Sequence, residues 1–229
     1  MKILLVAATK LEMNLIVKQL KGNDCSLNLT KNIIYKELNI DILITGIGLV
    51  FTCYHLLKTL FSSSYDLIIN LGIAGSYNRN IQIGEVVNVV QEEFSDLGIE
   101  NPTEFKTIFE SGFVDKNNFP FIDGKLKSDV YNNLLIKQLR QVKSISSNTA
   151  HGKEITINSL IEKFKPDIES MEGAAFFYVC TMEKLDFIQI RAISNYVEPK
   201  NVKNWNIDLA LENLSNLMIG LFDDLTNKK

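Results

Sequence analysis

Short apolar runs bounded by turn residues recur along the chain, and they alternate with segments whose apolar residues have helical spacing. Most runs are apolar at both odd and even positions, which is typical of strands buried on both faces of a sheet. They read KILLVAA, DILITG, DLIINLG, GEVVNVV and DFIQIRAIS. A last apolar stripe, from Ile207 to Leu221, predicts a C-terminal helix packed on the core. Strands alternating with helices predict a three-layer α/β/α fold, in one domain over residues 1–229.

Residues 95–127 interrupt this pattern. They hold three glycines, two prolines, four lysines and five of the chain's 13 Phe. A loop of this length inside a compact domain is usually functional or disordered, and its aromatic residues argue against disorder. Two interpretations remain open: the Phe side chains anchor the loop to the core, or the segment covers a substrate with aromatic and cationic contacts.

Composition narrows the classes of partner. A net charge of −3 and a sequence pI near 5.5 provide no basic face for nucleic acid or an anionic membrane. Cys25, Cys53 and Cys180 are widely spaced and odd in number, which argues against a disulfide framework and for a reducing cytoplasm. No apolar run reaches the ~20 residues that span a bilayer. The two histidines lie far apart, so we predict no metal and no organic cofactor, only a small-molecule substrate.

Five segments lie where predicted strands hand over to helices or loops, which is where open α/β sheets bind ligands. They are TKLE, TGIGLV, NLGIAGS, ESMEGAAF and RAISN. The glycines would let backbone N–H groups approach a ligand closely. Glu12 and Glu172 each open a predicted helix, so each is either a charge that favours the helix dipole or a functional carboxylate. Each segment alone is a weak signal.

In this order, over nearly the whole chain, the five segments resemble the purine nucleoside phosphorylase and nucleosidase superfamily. The resemblance implies a single α/β/α domain around a mixed, partly barrel-like sheet, and a homodimer as in the nucleosidase branch. It implies that Glu12 activates water, and that Met171 and Glu172 hold the ribose. It also places Ile73 and Ala74 in the glycine-rich wall of the pocket.

The base end of the site departs from the adenosine-type pattern of the family. Thr149 and Ala150 fall near the segment whose backbone reads the base, and His151 beside them is either packed or part of that segment. Asn195 falls where adenine-specific members carry an Asp that protonates the base. An ionised Asp would repel the O6 of a 6-oxopurine, whereas an Asn NH₂ can donate to O6 or N7 as charge develops there. Asn195 therefore predicts a hypoxanthine- or guanine-type base, unless it only forms a local turn.

The tail NYVEPKNVKNW, with Ile207 two residues after Trp205, resembles the branch of the family that hydrolyses futalosine in menaquinone biosynthesis. That resemblance implies an inosine-type substrate with a carboxylated 5′ side, and release of hypoxanthine. One of Lys106, Lys116, Lys125 and Lys127 is then a candidate partner for the substrate carboxylate.

Hydrolysis and phosphorolysis differ in their need for a phosphate site, which arginines usually help to build. The chain has only three arginines, and only Arg79 follows a glycine-rich segment closely. Water is therefore the expected nucleophile. The alternatives, in order, are a methylthioadenosine/S-adenosylhomocysteine nucleosidase, a purine nucleoside phosphorylase, and a non-catalytic nucleoside-binding protein. A binder would not need Glu12, and an adenine-specific enzyme would not favour Asn195.

Overall fold

The computed structural model describes residues 1–21, 32–199 and 204–227. Cys25 and the lysine-bearing stretch 200–203 lie outside these residues. The described strands are β1 (Lys2–Ala7), β2 (Ile33–Tyr35), β3 (Leu38–Ile44), β4 (Leu67–Ser76), β5 (Val86–Phe94), β6 (Gly98–Glu100), β7 (Phe105–Thr107), β8 (Leu126–Lys127), β9 (Arg140–Ser146), β10 (Ile168–Ser170) and β11 (Phe187–Tyr196). The helices are α1 (Lys10–Lys21), α2 (Leu49–Leu60), α3 (Leu134–Gln138), α4 (Glu154–Phe164), α5 (Gly173–Met182) and α6 (Ile207–Asn227).

The main sheet is mixed and closes partly on itself. Its order is β10-β9-β5-β11-β4-β1-β3-β2, with β8 added on β5. β10 pairs with β9 in parallel and also with β4 in antiparallel fashion, so β4, β11, β5, β9 and β10 form a closed ring. β1, β4 and β11 run in parallel, and their carboxyl ends meet at one edge. The predicted α/β/α fold with a partly barrel-like sheet is confirmed.

Two apolar clusters cover the two faces of the sheet. In β1, Ile3 and Leu5 belong to the cluster that also contains residues of α1 and α6, whereas Leu4 and Val6 belong to the cluster with α2 and α5. All four side chains are at most 1 % exposed. Because successive side chains of a strand point to opposite faces, apolar residues at both parities are what a doubly covered sheet requires.

Residues 95–127 form the β6–β7 hairpin, β8 and the turns between them. Phe109 packs edge-on against Phe121, and Phe121 contacts Tyr178 of α5. Phe113 and Phe119 are 68 % and 58 % exposed. The anchoring interpretation therefore holds for part of the aromatic set. Among the described helices, none has the length and apolar character to cross a membrane.

Candidate functional site

A cavity of about 500 Å³ opens where β1, β4 and β11 end. It contains every residue that the sequence assigns to the site, namely Glu12, Ile73, Ala74, Thr149, Ala150, Met171, Glu172 and Asn195. Trp205 and Ile207 of the C-terminal motif line it as well. The five sequence segments thus converge on one concave surface, as the parallel strand ends require.

Glu12 is only 8 % exposed and is held by three hydrogen bonds. Oε2 accepts from the backbone N of Thr9 (2.9 Å) and from its Oγ1 (3.0 Å), and Oε1 accepts from the backbone N of Ile73 (3.1 Å). A Cβ on Gly72 would come within 2.5 Å of Glu12 Oε1. The glycine in NLGIAGS is therefore needed so that β4 can approach the carboxylate.

Glu172 lies at the N-cap of α5, and its Oε1 accepts from the backbone N of Gly48 (3.1 Å) at the start of α2. Gly48 has a φ of 104°, a conformation that L side chains rarely adopt, so TGIGLV supplies an N–H that other sequences could not easily place. Burial raises the pKa of Glu172 above its ordinary value; the charge of Arg191 and the Gly48 N–H oppose this effect, whereas the nearby Glu12 charge adds to it.

A buried polar network lies behind the start of α5. Glu92, which is fully buried, accepts from Gln189 Nε2 (2.5 Å) and from Ser146 Oγ (2.8 Å). The same Ser146 hydroxyl accepts from the backbone N of Ala174 (2.9 Å). Burial raises the pKa of Glu92 to about 7, although both hydrogen bonds and the charge of Arg191 lower it. A Cβ on Gly173 would collide with the Glu92 carboxylate, so the network and the helix start fit each other closely.

Asn195 is 8 % exposed, and its amide is oriented by its neighbours. Oδ1 accepts from Ser194 Oγ (2.7 Å), and Nδ2 donates to the backbone O of Tyr196 (3.1 Å). One N–H of the amide remains for a ligand. The side chain thus forms local hydrogen bonds and lines the cavity at the same time, so the two interpretations of Asn195 are compatible.

The cavity wall near Asn195 is completed by β10 and by residues 149–152. Thr149 and Ala150 are exposed on the cavity surface. His151 Nδ1 lies 2.8 Å from Glu169 Oε2, and the backbone N of His151 donates to Glu169 Oε1 (3.1 Å). Glu169 also accepts from the hydroxyl of Tyr77 (2.5 Å). His151 therefore belongs to the cavity wall.

Arg79 and Arg140 are paired with acids of the chain, whereas Arg191 donates to the backbone O of Ile190 (3.2 Å). Arg79 pairs with Glu198 (2.6 Å) and lies 4.3 Å over the ring of Tyr196, at the rim of the cavity. Arg140 pairs with Glu85 (2.8 Å) outside the cavity. Arg191 is fully buried, and its charge acts on Glu92 and Glu172.

Residues 95–127 contribute no lining residue to this cavity among the described residues. Together with β5 and α4 they line a separate pocket of about 320 Å³. Three of the four candidate lysines are paired there or nearby: Lys106 with Glu104, Lys116 with Asp123, and Lys125 with Glu93. A covering role for the segment stays a prediction.

Three polar residues in or next to the cavity were not predicted from the sequence, namely Thr9, Glu92 and Glu169. Glu169 precedes Met171 by two positions, and the two-residue period of a strand would have placed both on one face. Glu92 stands between the polar residues Gln91 and Glu93, so the local sequence carries no signal that it is buried. No group of three metal-ligating side chains occurs within residues 1–21, 32–199 and 204–227.

Comparison with known proteins places the chain in a broad group. The model of the protein family described as the phosphorylase superfamily matches residues 2–223. A 5′-methylthioadenosine/S-adenosylhomocysteine nucleosidase of Haemophilus influenzae is 26 % identical, over 98 % of this chain and 100 % of that protein. A futalosine hydrolase of Thermus thermophilus is 27 % identical, over 75 % of this chain and 76 % of that protein.

Solved structures agree on the fold. The native structure of futalosine hydrolase of Helicobacter pylori superimposes with a TM-score of 0.80, covering 97 % of each chain at 17 % sequence identity. At this identity the similarity concerns the fold alone.

Proposed function

The chain belongs to the phosphorylase superfamily and is a nucleosidase that hydrolyses N-glycosyl bonds, and from this premise we propose that its substrate is futalosine, with hypoxanthine as the released base. The observation that supports this substrate is the amide of Asn195 at the base end of the cavity, where an adenine-specific site needs an acid. The futalosine hydrolases among the relatives support the same assignment.

Glu12 activates the attacking water in this proposal. Hydrolysis of an N-glycosyl bond passes through an oxocarbenium-like state, so water must lose a proton as its oxygen bonds to the anomeric carbon. The backbone N–H groups of Thr9 and Ile73 hold the carboxylate in one orientation at the cavity wall. A general base in this position contributes about 10²–10⁴-fold to the rate.

Glu172 and Met171 hold the ribose beside this carboxylate. One oxygen of Glu172 is held by Gly48, so the other can accept from the sugar hydroxyls. Burial raises the pKa of Glu172, and the charge of Arg191 opposes this effect and so favours the ionised form, which accepts hydrogen bonds. The nucleoside is thereby fixed with its anomeric carbon toward Glu12, which is the positioning that a hydrolase requires.

Asn195 stabilises the leaving base. As the glycosidic bond breaks, its electron pair enters the purine and negative charge builds up on N7 and O6. The free N–H of the Asn195 amide donates to these atoms and strengthens as the charge grows. The proton that Glu12 removed from water returns to solvent, and the purine takes one up.

Water, and not phosphate, is the nucleophile in this proposal. A phosphate site in this cavity would need an accessible cation, but Arg79 and Arg140 are paired with Glu198 and Glu85, and Arg191 is buried. The nearest competing function is a methylthioadenosine/S-adenosylhomocysteine nucleosidase, which the names of several relatives favour. Such an enzyme would use Glu12 and Glu172 in the same way. The two functions therefore differ in the residues that contact the purine base.

Base release decides among these functions. Futalosine, inosine and methylthioadenosine are incubated separately with the protein, with and without phosphate, and the products are separated by chromatography. We expect hypoxanthine from futalosine at a rate that phosphate does not change. Adenine from methylthioadenosine would favour the competing nucleosidase, dependence on phosphate would favour a phosphorylase, and binding without release would favour a nucleoside-binding protein.

Assembly and location are further parts of the proposal. Val50, Phe51 and Tyr54 are 75 %, 58 % and 58 % exposed on one side of α2, and Leu11 and Ile47 are exposed at the nearby mouth of the cavity. Apolar patches of this kind mark protein interfaces, so a homodimer through α2 is expected. Light scattering after gel filtration should give twice the chain mass of 25.9 kDa. We also propose a cytoplasmic location, which the odd number of widely spaced cysteines favours.

A further inference from the structure

The N-cap residue of α5 does not cap its own helix. Glu172 occupies this position, from which a side chain commonly accepts the N–H of the second or third helical residue. Its carboxylate turns away from α5 instead, and Oε1 accepts from the backbone N of Gly48 at the N-cap of α2. Since the first N–H groups of a helix have no partner within that helix, those of α5 need acceptors from elsewhere.

Two serines from neighbouring strands supply these acceptors. Ser146 Oγ, at the end of β9, accepts from the backbone N of Ala174 (2.9 Å). Ser170 Oγ, at the end of β10, accepts from the backbone N of Gly173 (3.2 Å). The two hydroxyl oxygens lie 3.3 Å apart. Because Ser146 is fully buried, water cannot readily replace its hydroxyl as the partner of α5.

The buried network behind α5 sets the direction of the Ser146 hydroxyl. A serine has one proton to donate, and Ser146 donates it to Glu92 Oε2 (2.8 Å). Glu92 is held in turn by Gln189, whose Nε2 donates to Oε1 (2.5 Å). The lone pairs of Ser146 Oγ are therefore left for the Ala174 N–H and for Ser170.

We propose that Ser146, with Ser170 beside it, is a positioning residue that caps α5 in place of Glu172 and so leaves the Glu172 carboxylate free for the ribose hydroxyls. This inference rests on the proposed function, in which Glu172 holds the ribose. Without the Ser146 hydroxyl, the Ala174 N–H loses its acceptor, and an N-cap side chain is placed to replace it. Glu172 then turns back onto its own helix and is lost to the ribose.

A purely structural role would explain the same hydrogen bonds. Ser146 would then only fasten α5 to β9, and its loss would weaken every ligand of the cavity alike. A positioning role acts selectively on ligands that carry ribose hydroxyls. Inosine, 2′,3′-dideoxyinosine and hypoxanthine separate the two roles, because all three share one base and only inosine has both hydroxyls.

The test is calorimetric binding of these three ligands to the whole protein with Glu12→Gln, which prevents turnover. We expect this parent to prefer inosine to 2′,3′-dideoxyinosine. Adding Ser146→Ala should lower the affinity for inosine about tenfold to a hundredfold, with the other two affinities nearly unchanged. Ser144→Ala is the matched control: it removes a similarly buried hydroxyl of β9, which donates to the backbone O of Ile145 (3.3 Å), and it should keep the preference.

Equal weakening of all three ligands by Ser146→Ala, or an unchanged preference for inosine, would overturn the inference. If Ser146→Ala does not fold, Ser146→Cys replaces it, because a thiol fills a similar volume but accepts weakly. A reduced preference is expected there too, and a preference equal to that of the parent would overturn the inference.

The proposed function and the inference fail separately. A protein that releases hypoxanthine from futalosine but keeps its preference in Ser146→Ala retains the function without the inference. If the protein instead releases adenine from methylthioadenosine, and Ser146→Ala abolishes a preference for adenosine over 2′,3′-dideoxyadenosine, the inference stands without the proposed substrate. A parent that prefers neither nucleoside to its dideoxy counterpart would contradict both the role of Glu172 and the inference.

Discussion

The two ends of the cavity hold their polar side chains by different means. At the water and ribose end, Glu12 and Glu172 rest largely on backbone N–H groups, from Thr9, Ile73 and Gly48. At the base end, Glu169 and Asn195 are tied mainly to the side chains of His151, Tyr77 and Ser194. A backbone N–H donor is kept when the side chain of its residue is substituted, unless the new residue is proline. In the proposed function, the groups that act on the glycosidic bond are therefore held largely by the backbone, whereas the choice of base depends on a few replaceable side chains.

Glu12→Gln should give the largest effect. The amide cannot accept the proton of water, so kcat for base release should fall about 10²–10⁴-fold, while the affinity for free hypoxanthine stays nearly unchanged. Single-turnover chromatography and calorimetry measure the two quantities. Glu154→Gln, at an exposed acid in the first turn of α4, is the matched control. A variant that keeps its turnover would show that Glu12 is not the general base that activates water.

Gly72→Ala tests the same end through the backbone. The new Cβ would stand 2.5 Å from Glu12 Oε1 and must displace the carboxylate. A misplacement of about 1 Å can cost on the order of 100-fold in rate, so kcat should fall while the chain stays folded. Gly220→Ala, in α6 with 3.4 Å to its nearest neighbour, is the control and should leave turnover intact. Equal kcat values for the two variants would contradict the tight fit of β4 against Glu12.

Asn195→Asp tests the base end. An ionised carboxylate would face O6 and lose the N–H that Asn195 offers, so kcat/KM for futalosine should fall about tenfold to a hundredfold. The 6-amino counterpart of futalosine should be affected less or should improve. Asn216, an exposed residue of α6 whose Oδ1 accepts from Gln19, provides the control Asn216→Asp, which keeps that acceptor away from the cavity. If both substrates lose the same factor, the side chain acts only in local structure.

Glu92→Gln should affect stability more than turnover. The folded pKa of about 7 lies above the ordinary 4.5, so the folded state binds the proton more tightly. The stabilisation is complete below about pH 4.5 and is lost as the pH rises through 7. At 1.36 kcal/mol per pKa unit this is about 3 kcal/mol, which the amide variant should not lose.

Urea unfolding of both proteins between pH 4.5 and 8 measures the difference directly. The free energy of unfolding of the wild type should fall with rising pH relative to that of Glu92→Gln. Glu93→Gln is the neighbouring control, although burial raises the pKa of Glu93 as well and a smaller trend is expected there. If the free energy of unfolding depends on pH in the same way in the wild type and in Glu92→Gln, protonation of Glu92 does not contribute to the stability of the folded state.

The sequence predicted the positions where backbone meets a carboxylate better than it predicted the contacts between polar side chains. Strand and helix positions follow from local periodicity, and glycines such as Gly48 and Gly72 mark the places where backbone meets a carboxylate. Glu169 and His151 meet only because β10 bridges β9 and β4, a ring closure that no local pattern encodes. The burial of Arg191 among acids likewise depends on packing between distant elements. Its position in β11 was predictable, but its partners were not.

A competition between two bases tests the central claim most directly. Futalosine and its 6-amino counterpart are mixed in equal amounts with the protein in the absence of phosphate, and hypoxanthine and adenine are quantified in the early reaction. The ratio of the products equals the ratio of the two kcat/KM values. An excess of hypoxanthine of about tenfold or more agrees with the amide of Asn195 at the base end of the cavity. An excess of adenine would contradict the proposed substrate and would assign the cavity to a 6-aminopurine nucleosidase.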